Sequence, residues 1–227
     1  MDYLLDSIEV RVFGSLIEKQ MTTPDYYPLT LNSLLAACNQ KTSRNPVTSY
    51  SEMEVIAAIE GLREKGFVVQ VNIAGSRAEK FRHQIDEFAE FSSKEIAILC
   101  VLMLRGPQTI GELRQRSERL YPFVDLEEVE TTIKELMECE DPEPMVAELP
   151  LEPGRKEKRY IHLFSDIPAT NVAAETIAMP QVNPSQIREK VETLEQVVEE
   201  LRDAQKLMTE EIQSLKNDLE LFRQQFE

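Results

Sequence analysis

The sequence contains no tryptophan, only seven glycines and only two histidines among 227 residues. Scarce glycine disfavours Gly-rich nucleotide-binding folds, whose phosphate loops depend on it. The two histidines, His83 and His162, belong to no recognisable metal-ligand motif, so no zinc site is expected. Walker, GxGxxG, GxSxG and HExxH motifs are absent as well. We therefore expect no catalytic site and no cofactor, and predict that the protein is not an enzyme.

Cysteine and long apolar runs are also scarce. Cys38, Cys100 and Cys139 lie far apart and form no CxxC pair, and this odd count is typical of a reducing cytoplasm. Cys38 and Cys100 fall inside apolar helical patterns, where free cysteine behaves as a small hydrophobe. The N-terminus is acidic rather than signal-like, and the longest apolar run, residues 96–104, is too short to cross a bilayer. A cytoplasmic protein without a membrane partner is predicted.

The chain has an excess of negative charge along its whole length. Its formal net charge is −16, of which residues 1–91 carry −4, residues 92–166 carry −6 and the remainder carries −6. Such a charge keeps a protein in solution and repels nucleic acid at long range. The hydrophobic fraction of 42% is nevertheless sufficient for ordinary globular cores.

Residues 1–91 have the pattern of three helices followed by a β-hairpin. Apolar periodicity predicts helices over 7–20 and 31–39, and a capping box of Ser51 and Glu54 opens a third helix. Strand-like segments follow at 67–73 and 79–85. A polar turn that joins the second and third helices, with a hairpin after them, is typical of the winged-helix variant of the helix-turn-helix.

Residues 92–166 repeat this order. A capping box of Ser92 and Glu95 opens a predicted helix over 94–105. A second helix over 109–120, a third helix opened by Asp125, and strands at 145–149 and 159–164 follow. His83 and His162 fall at matching places in the last strands, which indicates an equivalent packing or hydrogen-bonding role. The predicted fold class is mainly α with small β-hairpins. It comprises two tandem winged-helix domains, 1–91 and 92–166, and a C-terminal coiled-coil helix.

A linker, residues 167–183, separates these domains from the coiled coil, residues 184–227. There the apolar positions repeat every seven residues in register, and the helix would be roughly 60 Å long. Charge pairs such as Lys190 with Glu195 favour a parallel homodimer, in which Gln205 fixes the register. The alternative is a helix that folds back on its own domains. The predicted dimerisation residues are Ile187, Val191, Leu194, Val198, Leu201, Gln205, Met208, Ile212, Leu215, Leu219, Phe222 and Phe226.

Polar and cationic residues occupy the places that a winged helix uses on DNA, where the third helix enters the major groove and the wing reaches the backbone. Simple solvation of exposed hairpins is the alternative reason for the cations of the wings. The candidate phosphate contacts are Lys41, Thr42, Ser43, Arg44, Arg77, Lys80, Arg82, Arg155, Lys156, Lys158 and Arg159.

The third helices themselves are acidic. One begins with Glu52 and Glu54, and the other carries Glu127, Glu128 and Glu130 in its first turns. Carboxylates at a groove-facing helix start repel phosphates, so the second domain fits protein binding better. Two functions stay open. A dimeric DNA-binding protein, similar to a transcription regulator, is slightly favoured on fold, and an acidic protein-interaction scaffold is the alternative.

The segment from Asn39 to Val47, NQKTSRNPV, and the preceding YPLTLNSL from Tyr27 to Leu34 resemble the bacterial YceH family. Further matching stretches are RVFGSLIEK from Arg11 and LRQRS from Leu113. The resemblance covers residues from about 8 to 166, and the tail has the coiled-coil character of the family. It implies tandem winged-helix domains. Because that family is functionally uncharacterised, the resemblance implies no mechanism and no catalytic or binding residues.

Overall fold

The structure is a computed structural model that describes residues 4–72, 78–139, 143–151, 154 and 157–166. The described residues form six α-helices and five short β-strands arranged in two antiparallel sheets. This confirms the prediction of a mainly helical chain with small β-hairpins. The predicted linker, the predicted coiled coil and all of the predicted dimerisation residues lie outside the described residues.

The first half contains three helices and a three-stranded sheet. Its elements are α1 (Ser7–Thr22), β1 (Leu29–Thr30), α2 (Leu31–Cys38), α3 (Glu52–Glu64), β2 (Val68–Val71) and β3 (Lys80–His83). The central strand of the sheet is β3, with β1 and β2 on its two edges. Phe81 of β3 lies opposite Gln70 on one side and Leu29 on the other. The strand β1 was not predicted, because two residues between a proline and a helix give no alternating pattern.

The second half repeats the element order. It consists of α4 (Ser93–Arg105), α5 (Ile110–Ser117), α6 (Leu126–Glu138), β4 (Val146–Leu149) and β5 (Arg159–His162). Gln108, two residues before α5, also repeats the pairing of β1: it donates its backbone N–H to Tyr160 O at 3.0 Å and accepts from Tyr160 N at 2.8 Å. Each half therefore attaches the start of its second helix to its last strand.

The helix starts are fixed by side chains that accept hydrogen bonds from the first turn. Capping boxes predicted at Ser51 and Ser92 are both present, with Glu54 and Glu95 reaching back to the capping residue. Two further boxes open α1 at Asp6 and α5 at Thr109. Losing such a cap costs a helix about 1 kcal/mol, so these four positions define where the helices begin.

The core is continuous between the two halves, and α1 is at its centre. Ten consecutive residues of α1, from Glu9 to Glu18, are buried, because the helix packs against α2, α3 and α4. Gly14 permits the approach to α4: a Cβ atom there would lie 3.1 Å from side-chain atoms of Met103 and Leu104. All described residues fall within one compact unit, residues 1–175. The domain division at residues 91 and 92 stays a prediction.

The end of the second half also packs on the first. The ring of Phe164 meets Phe13 edge to face, with centroids 5.9 Å apart, and it contacts Phe67 in the same manner at 6.2 Å. Next to these rings the backbone N–H of Leu5 donates to Phe164 O at 2.7 Å. The first and the last described segments are thus joined directly.

Both histidines are buried in equivalent strands, as predicted. Burial lowers the pKa of His83 and that of His162 to about 4, so both rings are neutral at pH 7. Nδ1 of His83 accepts from the backbone N–H of Ile85 at 3.3 Å, whereas Nδ1 of His162 is buried without a partner among the described residues. Cys38 and Cys100 are likewise buried in the core, in agreement with their apolar surroundings in the sequence.

Candidate functional site

The turn between α2 and α3 carries the first group of predicted DNA contacts, and the structure divides that group. Lys41 and Thr42 are exposed and Ser43 is partly exposed, but the side chain of Arg44 has no exposed surface. Its guanidinium donates to both oxygens of the Glu18 carboxylate, with N–O distances of 3.0 and 2.7 Å. Contrary to the prediction, Arg44 therefore does not present its charge to a phosphate.

Two further features fix the pair of Arg44 and Glu18 in the core. Arg44 donates to the backbone oxygen of Ala37 at 2.8 Å, which ties the turn to the end of α2. Burial acts to raise the pKa of Glu18, but the hydrogen bonds and the charge of Arg44, helped by Lys19, outweigh it and lower that pKa. The carboxylate is therefore ionised at pH 7, and both of its oxygens are occupied.

A second arginine, Arg11 of α1, holds the remainder of the same loop. It donates to Cys38 O at 3.2 Å and to Pro46 O at 2.8 Å. Burial lowers the pKa of its guanidinium from the usual value. The Asn39 side chain closes the loop at its base, because it donates to Tyr50 O and accepts from Tyr50 N, both at 2.8 Å. The loop is thus fixed to α1 by two buried cations.

The same loop also reaches the second half. The backbone N–H of Asn45 donates to Leu104 O at 3.0 Å, and its side-chain amide donates to Arg105 O at 3.4 Å, both at the C-terminal end of α4. These carbonyls are unpaired within their own helix, since they belong to its last turn. The segment that carries the family resemblance, residues 39–47, therefore connects the two halves.

The other predicted DNA contacts lie on the hairpins. Arg82 is exposed on β3 and Lys80 is partly exposed, whereas Lys158 is paired with Glu148 at 2.8 Å. Arg159 is turned back on its own half, with Pro107 O at 2.7 Å and the Glu112 carboxylate at 2.9 Å. Arg77, Arg155 and Lys156 lie outside the described residues.

The outward faces of α3 and α6 combine apolar side chains with carboxylates. On α3, Met53 is 81% exposed and Ile56 is 36% exposed. A groove of about 440 Å³ is lined by Ile56, Phe81 and other residues of α2, α3 and the hairpin of the first half. On α6, Leu126 is 49% exposed. The exposed carboxylates of these two helices are Glu52, Glu54, Glu60, Glu64, Glu127, Glu130, Glu135 and Glu138.

A second feature of the surface was not predicted. A cleft of about 120 Å³ lies between the halves, against α1, the turn before α3, α4 and α5. Four of its lining residues are cations and only one, Glu18, is a carboxylate, and we refer to it as the basic cleft. Its cations are Lys19, Arg105, Arg116 and Arg119. Arg116 lies near the end of α5 and Arg119 in the turn that follows it.

In the described part of the chain, no group of three or more His, Cys, Asp or Glu side chains is arranged to hold a metal ion. None of the helices described there has both the length and the apolar character needed to cross a membrane. The surfaces that remain are the outward faces of the third helices, the exposed cations of the first half and the basic cleft.

Comparison with known proteins gives family-level matches. The model of a family described as "Protein of unknown function, DUF480" matches residues 5–155. A UPF0502 protein of Citrifermentans bemidjiense is 53% identical over 168 residues, covering 74% of this chain and 77% of that protein. A UPF0502 protein of Geotalea uraniireducens is 42% identical over the full length of both chains. These matches agree with the predicted uncharacterised bacterial family, while the name YceH stays a resemblance.

Proposed function

This chain belongs to the DUF480 family of proteins of unknown function, and we propose that it is a non-catalytic protein-interaction module built from two tandem winged helices. The observation that carries the proposal is the outward face of α3, where a methionine that is 81% exposed stands among carboxylates. The repeated face of α6 supports it. Protein binding is the second of the two functions that the sequence left open.

The winged-helix assignment rests on element order and strand pairing. Each half has three helices and then an antiparallel hairpin, and a segment before the second helix pairs with the last strand. In such a fold the third helix is the element offered to a ligand. Here α3 and α6 present Met53 and Leu126, which water solvates poorly, beside acidic side chains. Exposed apolar groups rimmed by charge are typical of protein-binding surfaces.

The expected partner is a basic protein segment with at least one apolar side chain. Its cations would meet Glu52 and Glu60, and its apolar side chain would enter the groove next to Ile56. The net charge of −16 favours the encounter with such a partner, because complementary charge raises association rates.

The test is capture from a nuclease-treated bacterial lysate by the full-length chain, with bound proteins quantified by mass spectrometry. Met53→Glu places a charge on the outward face of α3, and the matched control Leu151→Glu changes another exposed apolar residue, 54% exposed, on the hairpin of the second half. We expect one partner to be retained by wild type and control and to fall about tenfold with Met53→Glu, as a lost hot spot would give. Equal recovery by both variants contradicts the proposal.

Binding to duplex DNA is the second candidate, favoured by the exposure of Lys41 and Thr42 in the turn before α3 and of Arg82 on β3. It predicts affinity that falls steeply with salt. Lys41→Ala and Arg82→Ala are expected to weaken it, and Lys134→Ala on the acidic helix α6 is the control. Absence of binding to mixed genomic fragments at about 50 mM salt would exclude this candidate.

We further propose that the chain forms a parallel homodimer through residues 184–227, in which Gln205 fixes the register. The support is the heptad repeat of the sequence. The mass in solution of the full chain is expected to be twice the chain mass of 26.1 kDa, and a chain ending at residue 183 is expected to be monomeric. A monomeric full chain would favour the alternative in which the helix packs on its own domains.

A further inference from the structure

The basic cleft is a local concentration of positive charge in a strongly acidic protein. Four cations and one carboxylate line it, although the chain as a whole carries a net charge of −16. Like charges placed together destabilise a fold unless something compensates them. Cations scattered over the surface would be solvated equally well. Solvation alone therefore does not explain why these four cations lie together.

Two of the cations are held in fixed positions. Lys19 Nζ donates to Gln40 Oε1 at 3.0 Å and lies 3.3 Å from a Glu18 oxygen. Arg116 donates to the side-chain oxygen of Gln108, and its other terminal nitrogen lies 3.2 Å from Glu112. Such contacts restrict the rotamers of long side chains, which lowers the entropy cost of binding a ligand.

The other two cations are not paired directly with a carboxylate. Arg105 and Arg119 make no side-chain ion pair or hydrogen bond within the described residues, although Arg105 is only partly exposed. Both oxygens of Glu18, the carboxylate of the cleft, already accept hydrogen bonds from Arg44. Burial and the neighbouring charges of Arg116 and Arg44 lower the pKa of Arg105, and they outweigh the charge of Glu18, which acts to raise that pKa.

We propose that the basic cleft binds the phosphate group of a small phosphorylated molecule. Arginine forks match the oxygens of a phosphate, and two of them can each donate a pair of hydrogen bonds. Thr42 and Ser43 on the rim add hydroxyl donors. The volume of about 120 Å³ corresponds to about four water molecules, which suits one phosphate group.

The position of the cleft gives the binding a second consequence. Its walls come from both halves, since Lys19 belongs to α1 and Arg116 and Arg119 to the α5 segment. The cations of the two halves repel each other across the cleft. A phosphate bound between them would attract the cations of both halves. Ligand binding is therefore expected to stabilise the described unit against unfolding, and the gain should rise with the logarithm of the ligand concentration once that concentration exceeds Kd.

The test uses the full chain, isothermal titration calorimetry and thermal unfolding at constant ionic strength, so that screening does not change. The probes are inorganic phosphate, adenosine monophosphate and a duplex DNA of mixed sequence. The variants Arg105→Gln and Arg119→Gln remove one unpaired cation each. The matched control Lys134→Gln removes an exposed cation of α6 that lies outside the cleft. Far-ultraviolet circular dichroism checks that each variant is folded.

We expect inorganic phosphate and the nucleotide to bind to the wild type and to the control with equal affinity. Each cleft variant is expected to bind about tenfold to a hundredfold more weakly, as the loss of a charge-assisted hydrogen bond gives. Three results would overturn the proposal: no binding of either small probe below about 10 mM, an equal loss with Lys134→Gln, or binding of the duplex alone. The last would assign the cleft to a nucleic-acid backbone instead.

Discussion

Replacement of Arg44 tests whether the turn before α3 has a structural or a ligand-binding role. The variant Arg44→Gln removes a guanidinium with no exposed surface and leaves the mostly buried carboxylate of Glu18 without its main partner. Breaking a buried ion pair from one side costs about 3–5 kcal/mol. Because Lys19 still lies 3.3 Å from Glu18, we expect the lower end of that range, a loss of about 3 kcal/mol in the free energy of unfolding.

The measurement is urea unfolding at pH 7, followed by circular dichroism. The double variant Glu18→Gln with Arg44→Gln is expected to recover part of the loss, because it leaves no unpaired charge in the core. The exposed control Arg82→Gln is expected to stay within about 0.5 kcal/mol of wild type. An Arg44→Gln protein as stable as wild type, with weakened DNA binding only, would refute the structural role.

Three further outcomes are expected. Between pH 7 and 5, each core histidine should lower the stability by about 2 kcal/mol, because the unfolded chain takes up the proton while the folded ring, with its pKa lowered to about 4, does not. His162→Phe should remove about half of the combined loss of the two histidines in urea titrations, and an unchanged pH dependence would contradict the assignment. Gly14→Ala should destabilise the protein by about 1–3 kcal/mol, since its Cβ would press on α4. Gly111→Ala, whose Cβ meets nothing within 4 Å, should not destabilise it, and equal effects in thermal unfolding would disprove the close contact. Cys139 alone should react quickly with a thiol reagent in the native state, as the other two cysteines are buried with raised thiol pKa values, and fast reaction of all three would count against this core.

The elements that were predicted from the sequence are those specified by local chemistry. Ser51 and Ser92 start helices because their side chains accept from the first turn, and that interaction spans only three residues. The apolar stripe of α6 likewise coincides with its buried face. In α3 the pattern predicts a buried stripe of Val55, Ile56, Ile59 and Leu62, and the structure buries all of these except Ile56, which is exposed. The matching histidines proved to be buried in equivalent strands, which a repeated element order had suggested.

The features that were missed depend on contacts between distant residues. Arg44 looks like an exposed cation in a polar turn, and only the folded chain brings it against Glu18, 26 residues earlier. The basic cleft needs Lys19, Arg105 and Arg119 from three separate segments. The close packing of α1 on α4 depends on one missing side chain, Gly14, which a hydrophobic pattern scores as neutral. None of these associations leaves a periodic signal in a single sequence.

The hydrogen bond between Leu5 N and Phe164 O, at 2.7 Å, brings the entry and the exit of the described unit to the same point. The chain between these two residues therefore forms a loop whose ends are joined by a backbone hydrogen bond. Two fluorophores attached near these residues would be close enough for resonance energy transfer in the native state, and the transfer would fall when this contact breaks. The transfer efficiency would then report whether the first half and the end of the second half remain packed together.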